Sequence, residues 1–190
     1  MSDIREYKST HGTKYYIMDD ENVYKTPLLS MSYPVKAFDG GVCTLSIKLD
    51  DSKECEEMKT HLIEKCDQFK KLLKKLRVSK KSIDKFDGFI ITHEKYGDSM
   101  KCKIPVKQDQ YCSRFVDSEN KHLNLTPKNI TVECRNYNSA RIAYKLNEFF
   151  VNKSGVVYCT PVAVKVKFVT KEKEEQEKED VILPDYDEEL

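Results

Sequence analysis

Residues 42–76 read VCTLSIKLDDSKECEEMKTHLIEKCDQFKKLLKKL and change their apolar period partway along. From Cys43 to Leu49 every second residue is apolar, which predicts a half-buried strand. From Cys55 to Leu76 the apolar residues recur at steps of three and four, which predicts one long amphipathic helix. Such a stripe would also suit a coiled-coil seam, so a homodimer through this helix is an alternative.

Strand patterns dominate the rest of the chain. The predicted strands lie at 86–92, 100–106, 111–116, 130–134, 156–158 and 162–168. Residues 140–150 fit either a strand or a helix, and the sequence NKSG at 152–155 predicts a hairpin turn. At least five strands, with one long helix inserted after an early strand, predict a mainly β protein. A five-stranded Greek-key barrel is one solution, and an α+β sandwich is the other.

Charge is distributed unevenly along the chain. The whole sequence carries 33 basic and 32 acidic side chains, a formal net charge of +1. Residues 171–190 hold three lysines and ten acids, net −7, so residues 1–170 carry 30 basic and 22 acidic side chains, net +8. A basic body is suited to a polyanion, and an acidic tail can imitate one. We expect an N-terminal arm at 1–34, a folded domain at 35–170 and a disordered acidic tail at 171–190.

The sequence carries no pattern of a common enzyme or metal site. None of the four histidines lies in an H-E-x-x-H motif, and no Walker A, G-x-S-x-G or G-x-G-x-x-G pattern occurs. The seven cysteines lack C-x-x-C spacing, so buried free thiols at 43, 102, 134 and 159 are expected rather than zinc or a disulfide scaffold. We therefore expect no catalysis, no metal and no cofactor.

Targeting signals are also missing from the sequence. No stretch reaches the apolar length of a membrane-spanning helix, and the first residues form no secretory signal. We expect no membrane partner and a cytoplasmic location. The basic segment KKLRVSKK at 74–81 makes nuclear import an alternative, although a basic helix end explains it as well.

Basic residues interleaved with aromatic residues form the remaining functional signal. Single-stranded nucleic acid calls for this pairing, because cations follow the phosphates while exposed rings stack on unpaired bases. Duplex recognition would instead call for a helix rich in Arg, Asn and Gln, whereas the helix here offers mostly Lys and Glu. The alternative is that the rings belong to the core. The candidate nucleic-acid-binding residues are Lys101, Lys103, Tyr111, Arg114, Phe115, Arg135, Arg141, Tyr144, Lys145, Lys165 and Lys167.

Two stretches resemble the single-stranded DNA-binding proteins of short-tailed phages and large DNA viruses. Residues 42–69 are similar to the strand, acidic turn and charged helix of that family. Residues 130–169, ITVECRNYNSARIAYKLNEFFVNKSGVVYCTPVAVKVKFV, are similar to its closing strands, and an acidic tail follows directly. The resemblance covers residues 35–190 and depends on layout rather than on an invariant motif.

The resemblance implies a five-stranded oligonucleotide/oligosaccharide-binding barrel (an OB-fold) at 35–170 that coats and protects unwound DNA during viral or plasmid replication. The phosphate contacts that it implies are Lys101, Lys103, Arg141, Lys145, Lys165 and Lys167. The stacking residues that it implies are Tyr111, Phe115 and Tyr144.

The resemblance also assigns a role to the acidic tail. The tail would compete for the DNA groove and would recruit a replicative polymerase, helicase or primase. Tails of that family often finish on an aromatic residue, a place that Tyr186 or Leu190 would take here. The last residues of the tail are Asp185, Tyr186, Asp187, Glu188, Glu189 and Leu190.

Together these observations predict a non-catalytic protein whose partner is single-stranded DNA. The alternative from another class is a protein–protein interaction module, a viral factor that docks through the helix at 52–77 and exposes its apolar stripe. A third hypothesis is an RNA-binding OB-fold protein, because no residue type marks a contact to a 2′-hydroxyl.

Overall fold

Strands dominate the computed structural model, which describes residues 4–8, 14–18, 22–33, 35–37, 43–146 and 148–173. The strands in chain order are β1 (Ile4–Lys8), β2 (Lys14–Met18), β3 (Tyr24–Lys25), β4 (Leu29–Ser30), β5 (Lys36–Ala37), β6 (Cys43–Lys48), β7 (Ile90–His93), β8 (Gly97–Ile104), β9 (Val106–Lys107), β10 (Gln110–Tyr111), β11 (Arg114–Val116), β12 (Tyr137–Lys145), β13 (Glu148–Val151), β14 (Val157–Cys159) and β15 (Val162–Thr170). They are accompanied by α1 (Lys53–Lys75), α2 (Lys80–Asp84) and α3 (Ile130–Glu133). The prediction of a mainly β protein with one long helix after an early strand is confirmed.

The main sheet runs in the order β3-β12-β15-β8-β6-β5. In addition β4 pairs with β12, β7 pairs with β8, and β11 lies parallel to β15. Strands β8 and β15 are parallel where Val162 pairs with Lys103, whereas β6–β8 and β12–β15 are antiparallel. The sequence predicts at least five strands in all, and short strands such as β3, β5 and β7 extend this sheet beyond its long ones.

The segment at 29–32 lies between two strands that are distant in the sheet order. Its first part, β4, pairs with β12, and the next residue, Met31, bridges to Ile47 of β6. The Ser32 N–H then donates to the Ser46 carbonyl over 2.8 Å. Pairing therefore runs from β12 through β15, β8 and β6 to this segment, which contacts β12 again.

A second sheet has the order β1-β2-β13-β14, and its β13–β14 hairpin is inserted in the chain between β12 and β15. On one face of this sheet Tyr16 and Phe149 stack, with their ring centroids 4.7 Å apart. Phe149 also meets Phe69 of α1 edge-on, again at 4.7 Å. The long helix is therefore joined to the second sheet by an aromatic contact.

The long helix α1 begins after Ser52, whose Oγ accepts a hydrogen bond from the Cys55 N–H. Its apolar stripe is buried in the core rather than displayed. The buried stripe residues are Cys55, Met58, Leu62, Phe69 and Leu73. A protein–protein interaction module that docks through this helix would expose the stripe. The burial of the stripe therefore argues against that hypothesis.

The strand expected at 130–134 is wrong, because these residues form the short helix α3. The Ile130 N–H donates to the Thr126 carbonyl over 3.0 Å, and the Cys134 N–H donates to the Ile130 carbonyl over 2.9 Å. Ile130 and Cys134 are buried, whereas Val132 is 62% exposed. Residues four apart share one side of a helix, while a strand would have placed all three apolar residues on the same face. The ambiguous stretch at 140–150 forms strand, divided between β12 and β13.

The N-terminal segment contributes to both sheets. Strands β1 and β2 lie in the second sheet, and β3 and β4 lie in the main sheet, with Leu29 only 1% exposed. The domain boundaries at 34/35 and 170/171 stay predictions. Residues 174–190, which hold most of the acidic tail, lie outside the residues that the structure describes.

Candidate nucleic-acid interface

Strand β8 presents two lysines on its outer face. Cys102 and Ile104 alternate with Lys101 and Lys103 and are completely buried, so the lysines point outward. Two residues along a strand separate their Cα atoms by roughly 7 Å, close to the spacing of successive phosphates in an extended strand. Within the described ranges no carboxylate lies in ion-pair distance of either lysine. Both charges therefore face solvent and can receive a polyanion.

The pairing of the neighbouring strands extends this face into a basic band. Lys103 pairs with Val162 of β15, and Val162 pairs in turn with Lys145 of β12, so one row crosses β8, β15 and β12. Farther along β15, Lys165 lies opposite Arg114 of β11. We use the name basic band for the outward cations of these four strands. Its members are Lys101, Lys103, Arg114, Arg141, Lys145, Lys165 and Lys167.

The arginine in the middle of the band lies on β12. Arg141 pairs with Lys167, on the outer side of a pair of strands whose inward residues Ile142 and Val166 are buried. The pairing thus brings seven of the eleven predicted residues together in one continuous arrangement, and it is typical of a site for a chain of phosphates.

Two of the predicted stacking residues occupy the core instead. Tyr144 pairs with Ala163 and Phe115 with Val166, which places both rings at inward positions of the sheet. Tyr144 is 1% and Phe115 is 2% exposed, so neither ring can receive a base, and burial raises the pKa of the Tyr144 hydroxyl. These two stacking assignments are wrong, because an aromatic residue on a strand fits the core as well as the surface.

Two further candidates from the sequence lie beside the band rather than in it. Tyr111 on β10 is half-buried, its ring meets Phe115 edge-on at 5.6 Å, and burial raises its pKa. Arg135 is exposed and lies between α3 and β12, two residues before β12 begins. Neither residue pairs with a band strand. The six tail residues from Asp185 to Leu190 fall outside the described part of the chain.

Tyr33 offers an exposed ring that sequence reasoning missed. The ring is 63% exposed and follows Ser32, whose Oγ accepts a hydrogen bond from the Ser46 Oγ over 3.2 Å. Ser46 pairs with Lys101, so this loop lies against the strand next to the lysines. The sequence gives no alternation around Tyr33, so no local pattern marks this ring as exposed.

The β13–β14 hairpin offers a second exposed ring. Phe150 and Tyr158 pair across the hairpin and stack with their centroids 4.7 Å apart and their planes at 15°. Tyr158 is 44% exposed. The chain that leaves the hairpin joins the band directly, because the Pro161 carbonyl accepts from the Lys103 N–H over 2.7 Å. The NKSG turn predicts which residues of the two hairpin strands lie opposite each other. This pattern could have predicted that Phe150 and Tyr158 share one face of the hairpin.

The described residues contain no group of three or more His, Cys, Asp or Glu side chains that could hold a metal ion.

The four thiols expected in the core, at 43, 102, 134 and 159, are all buried, as predicted. Burial raises the pKa of Cys134 to about 12, far above the range of a reactive thiolate. Among the helices that the structure describes, none has the length and apolar character needed to cross a membrane.

Comparison with known proteins gives matches in structure only. No family model matches the chain, and no curated protein matches it by sequence. The single-stranded DNA-binding protein gp2.5 of bacteriophage T7 superposes with a TM-score of 0.53 at 11% identity, over 90% of this chain and 97% of that one. A C-terminal truncation of the single-stranded DNA-binding protein of bacteriophage Enc34 gives 0.56 at 14% identity, over 88% and 95%. The chain therefore shares the fold of two phage single-stranded DNA-binding proteins, and the predicted resemblance is confirmed at that level.

Proposed function

We propose that this chain is a non-catalytic single-stranded DNA-binding protein that coats and protects unwound DNA during viral or plasmid replication. The observation that carries the proposal is the basic band, in which strand pairing aligns seven cations across β8, β11, β12 and β15. A row of cations releases counterions from a nucleic-acid backbone, which makes binding favourable and strongly salt-dependent. The shared fold with two phage proteins of this kind supports the same conclusion.

Exposed tyrosines beside the band supply the second half of the binding mode. Tyr33 lies next to the strand that pairs with β8, and Tyr158 lies on the hairpin that leads into β15. Stacking of an unpaired base on an exposed ring contributes about 1–3 kcal/mol and tolerates any base. The proposed mode therefore combines phosphate contacts along the strands with one stacking position at each neighbouring loop.

The proposed architecture is a closed OB-fold barrel. The 29–32 segment, β6, β8, β12 and β15 would be its five strands in chain order, with the pairing order 1-2-3-5-4-1 that the hydrogen bonds support. In OB-folds the face of strands 2 and 3, together with the loops 1–2 and 4–5, binds oligonucleotides. Those places correspond to the β6–β8 face, the Tyr33 loop and the β13–β14 hairpin.

A titration with single-stranded DNA tests the proposal. The anisotropy of a labelled dT strand is measured with the full chain at two salt concentrations, beside a duplex and an RNA strand of the same length. We expect tight binding of dT that weakens steeply with salt, with a slope near −0.7 per phosphate contacted. Equal binding of the duplex, or no dT binding at low salt, would refute the proposal. Preference for the RNA strand would indicate the RNA-binding hypothesis.

The acidic tail is proposed to compete with DNA for the band and to recruit polymerase, helicase or primase. Residues 174–190 carry nine acids and one lysine, opposite in sign to the band. Removing them should tighten dT binding and weaken partner binding. A chain of full length whose nine acids are replaced by Asn and Gln is the matched control. It should bind dT as tightly as the truncation, whereas dT affinity equal to wild type in both would contradict competition by the tail.

A further inference from the structure

A pocket of about 300 Å³ lies at the corner between α1 and α2, beside the tip of the β13–β14 hairpin. Three cations line it, Lys14 of β2, Arg77 after α1, and Lys153 in the hairpin turn. The hydroxyl-bearing Ser79 and Ser82 complete the polar wall, and among the residues that the structure describes no acidic side chain lines the pocket. We call this the corner pocket, and its charge suits an anion.

Arg77 occupies a backbone position that ordinarily favours glycine. Its φ is +57°, and it ends α1 in a Schellman motif: the Arg77 N–H donates to the Lys74 carbonyl and the Val78 N–H to the Leu73 carbonyl. A side chain with a Cβ is disfavoured in this left-handed conformation. The helix would end more favourably with glycine, yet the chain places there the cation that lines the pocket. A strained arginine of this kind points to a functional role.

The hairpin tip is held tightly against α2, which gives the pocket a defined wall. Gly155 has φ +77°, and a Cβ at that position would lie 2.7 Å from the Ser82 Oγ. Ser82 is buried, and its Oγ lies 2.6 Å from the Ser79 Oγ. The turn itself is closed, because the Gly155 N–H donates to the Asn152 carbonyl over 2.9 Å. The turn that carries Lys153 therefore lies against α2, and Lys153 lines the same pocket as Arg77.

The lining favours a phosphate over other anions. The Arg77 guanidinium and the Lys153 ammonium provide more N–H donors than a carboxylate with its two oxygens can use, whereas a phosphate offers several oxygens. Apolar side chains form the rest of the wall, from Tyr16, Leu76, Val78 and Val151. Partial exclusion of water by these groups strengthens charge–charge attraction. The opposite face of the same hairpin carries the stacked pair Phe150 and Tyr158, so a strand stacked there can reach the tip.

We propose that the corner pocket binds a backbone phosphate of the strand that the protein holds, with Arg77 and Lys153 as its ligands. This inference rests on the proposed function, since the phosphate belongs to the bound DNA. It adds an anchoring point away from the basic band, on the far side of the hairpin. A bound strand would then cross the hairpin from the Tyr158 face to the α1–α2 corner.

The double variant Arg77→Gly with Lys153→Gln tests the inference on the full chain. Glycine suits the left-handed position, so the variant should unfold at a temperature no lower than that of wild type. Loss of one phosphate contact should lower the salt slope for dT by about 0.7 and weaken binding about eightfold at 50 mM salt. The matched control is Lys80→Gln with Lys71→Gln, two exposed lysines outside the pocket lining, which should leave both quantities unchanged.

A nuclear magnetic resonance titration provides a second readout that does not depend on strand binding. We expect inorganic phosphate and thymidine monophosphate to shift the amide resonances of Ser79, Ser82 and Gly155 in wild type but not in the double variant. Thymidine, which lacks the phosphate, should shift none of them. Equal dT affinity and salt slope in wild type and double variant, or amide shifts that persist in the variant, would overturn the inference. Absence of any dT binding would instead refute the proposed function.

Discussion

The outer and inner faces of the same strands differ in how far their chemistry follows from the sequence. On β8 the outward Lys101 and Lys103 alternate with the buried Cys102 and Ile104, and on β12 the outward Arg141 lies three residues before the buried Tyr144. Charge settles the direction of a lysine, because a buried unpaired charge is costly. An aromatic ring fits both environments, so period two alone cannot place it. The contrast shows that the outward direction of the cations could be predicted, whereas the direction of the rings of Phe115 and Tyr144 could not.

The largest effect that separates the two faces is expected for the buried ring. Tyr144→Ala leaves a cavity in the core and should lower the free energy of unfolding by about 3–5 kcal/mol. Chemical denaturation measures the loss. Tyr33→Ala is the matched control, since its exposed ring should change stability by less than about 0.5 kcal/mol. If Tyr144→Ala unfolded at the same denaturant concentration as wild type, the assignment of this ring to the inner face would be incorrect.

The next largest effect is expected for two outward lysines, and it falls on DNA binding rather than on the free energy of unfolding. Lys101→Ala with Lys103→Ala removes two phosphate contacts, which corresponds to about 60-fold weaker dT binding at 50 mM salt and a slope reduced by about 1.4. Stability should be unchanged because both side chains are exposed. Anisotropy titrations of dT measure both quantities. Lys53→Ala with Lys128→Ala removes the same charge elsewhere, and an equal loss in that control would mean that net charge alone governs binding.

The exposed tyrosines should contribute a comparable share of the binding free energy that does not depend on salt. Tyr158→Ala and Tyr33→Ala should each weaken dT binding by about 1–3 kcal/mol while leaving the salt slope unchanged, because stacking releases no counterions. Tyr96→Ala removes a ring that is 59% exposed on the β7–β8 hairpin and provides the comparison. If all three variants bound dT alike, neither loop next to the basic band would act as a stacking position.

The smallest effect is expected far from both faces of the band. Ser52→Ala removes the cap of α1 and should cost about 1 kcal/mol of stability. The dT affinity of the folded chain should stay at the wild-type value, since no residue of α1 belongs to the basic band. Thermal unfolding and anisotropy measured on the same preparation separate the two quantities. A dT affinity that fell together with stability would bring α1 into the interface.

Long periodic elements were predictable, and short ones were not. The alternation in β6, β8 and β15 and the stripe of α1 each extend over many residues. The period of the apolar residues was therefore enough to predict the type of each element. Four residues at α3 are too few to distinguish a period of two from a spacing of four. The contacts of Tyr33 depend on pairing between 29–32 and β6, which no local pattern contains. The corner pocket likewise joins elements that lie about 75 residues apart in the chain.

The position of β4 in the chain has a consequence for synthesis of the protein. Its partner strand β12 is translated more than a hundred residues later. Strand β4, with Leu29, therefore cannot pair with β12 until Tyr137–Lys145 has left the ribosome. Contacts between such distant segments slow folding. An unpaired strand edge that waits on the ribosome also invites association between neighbouring nascent chains. The yield of folded protein should therefore be higher when translation is slow or the temperature is low. This requirement comes from the topology of the chain and not from the stability of the folded protein.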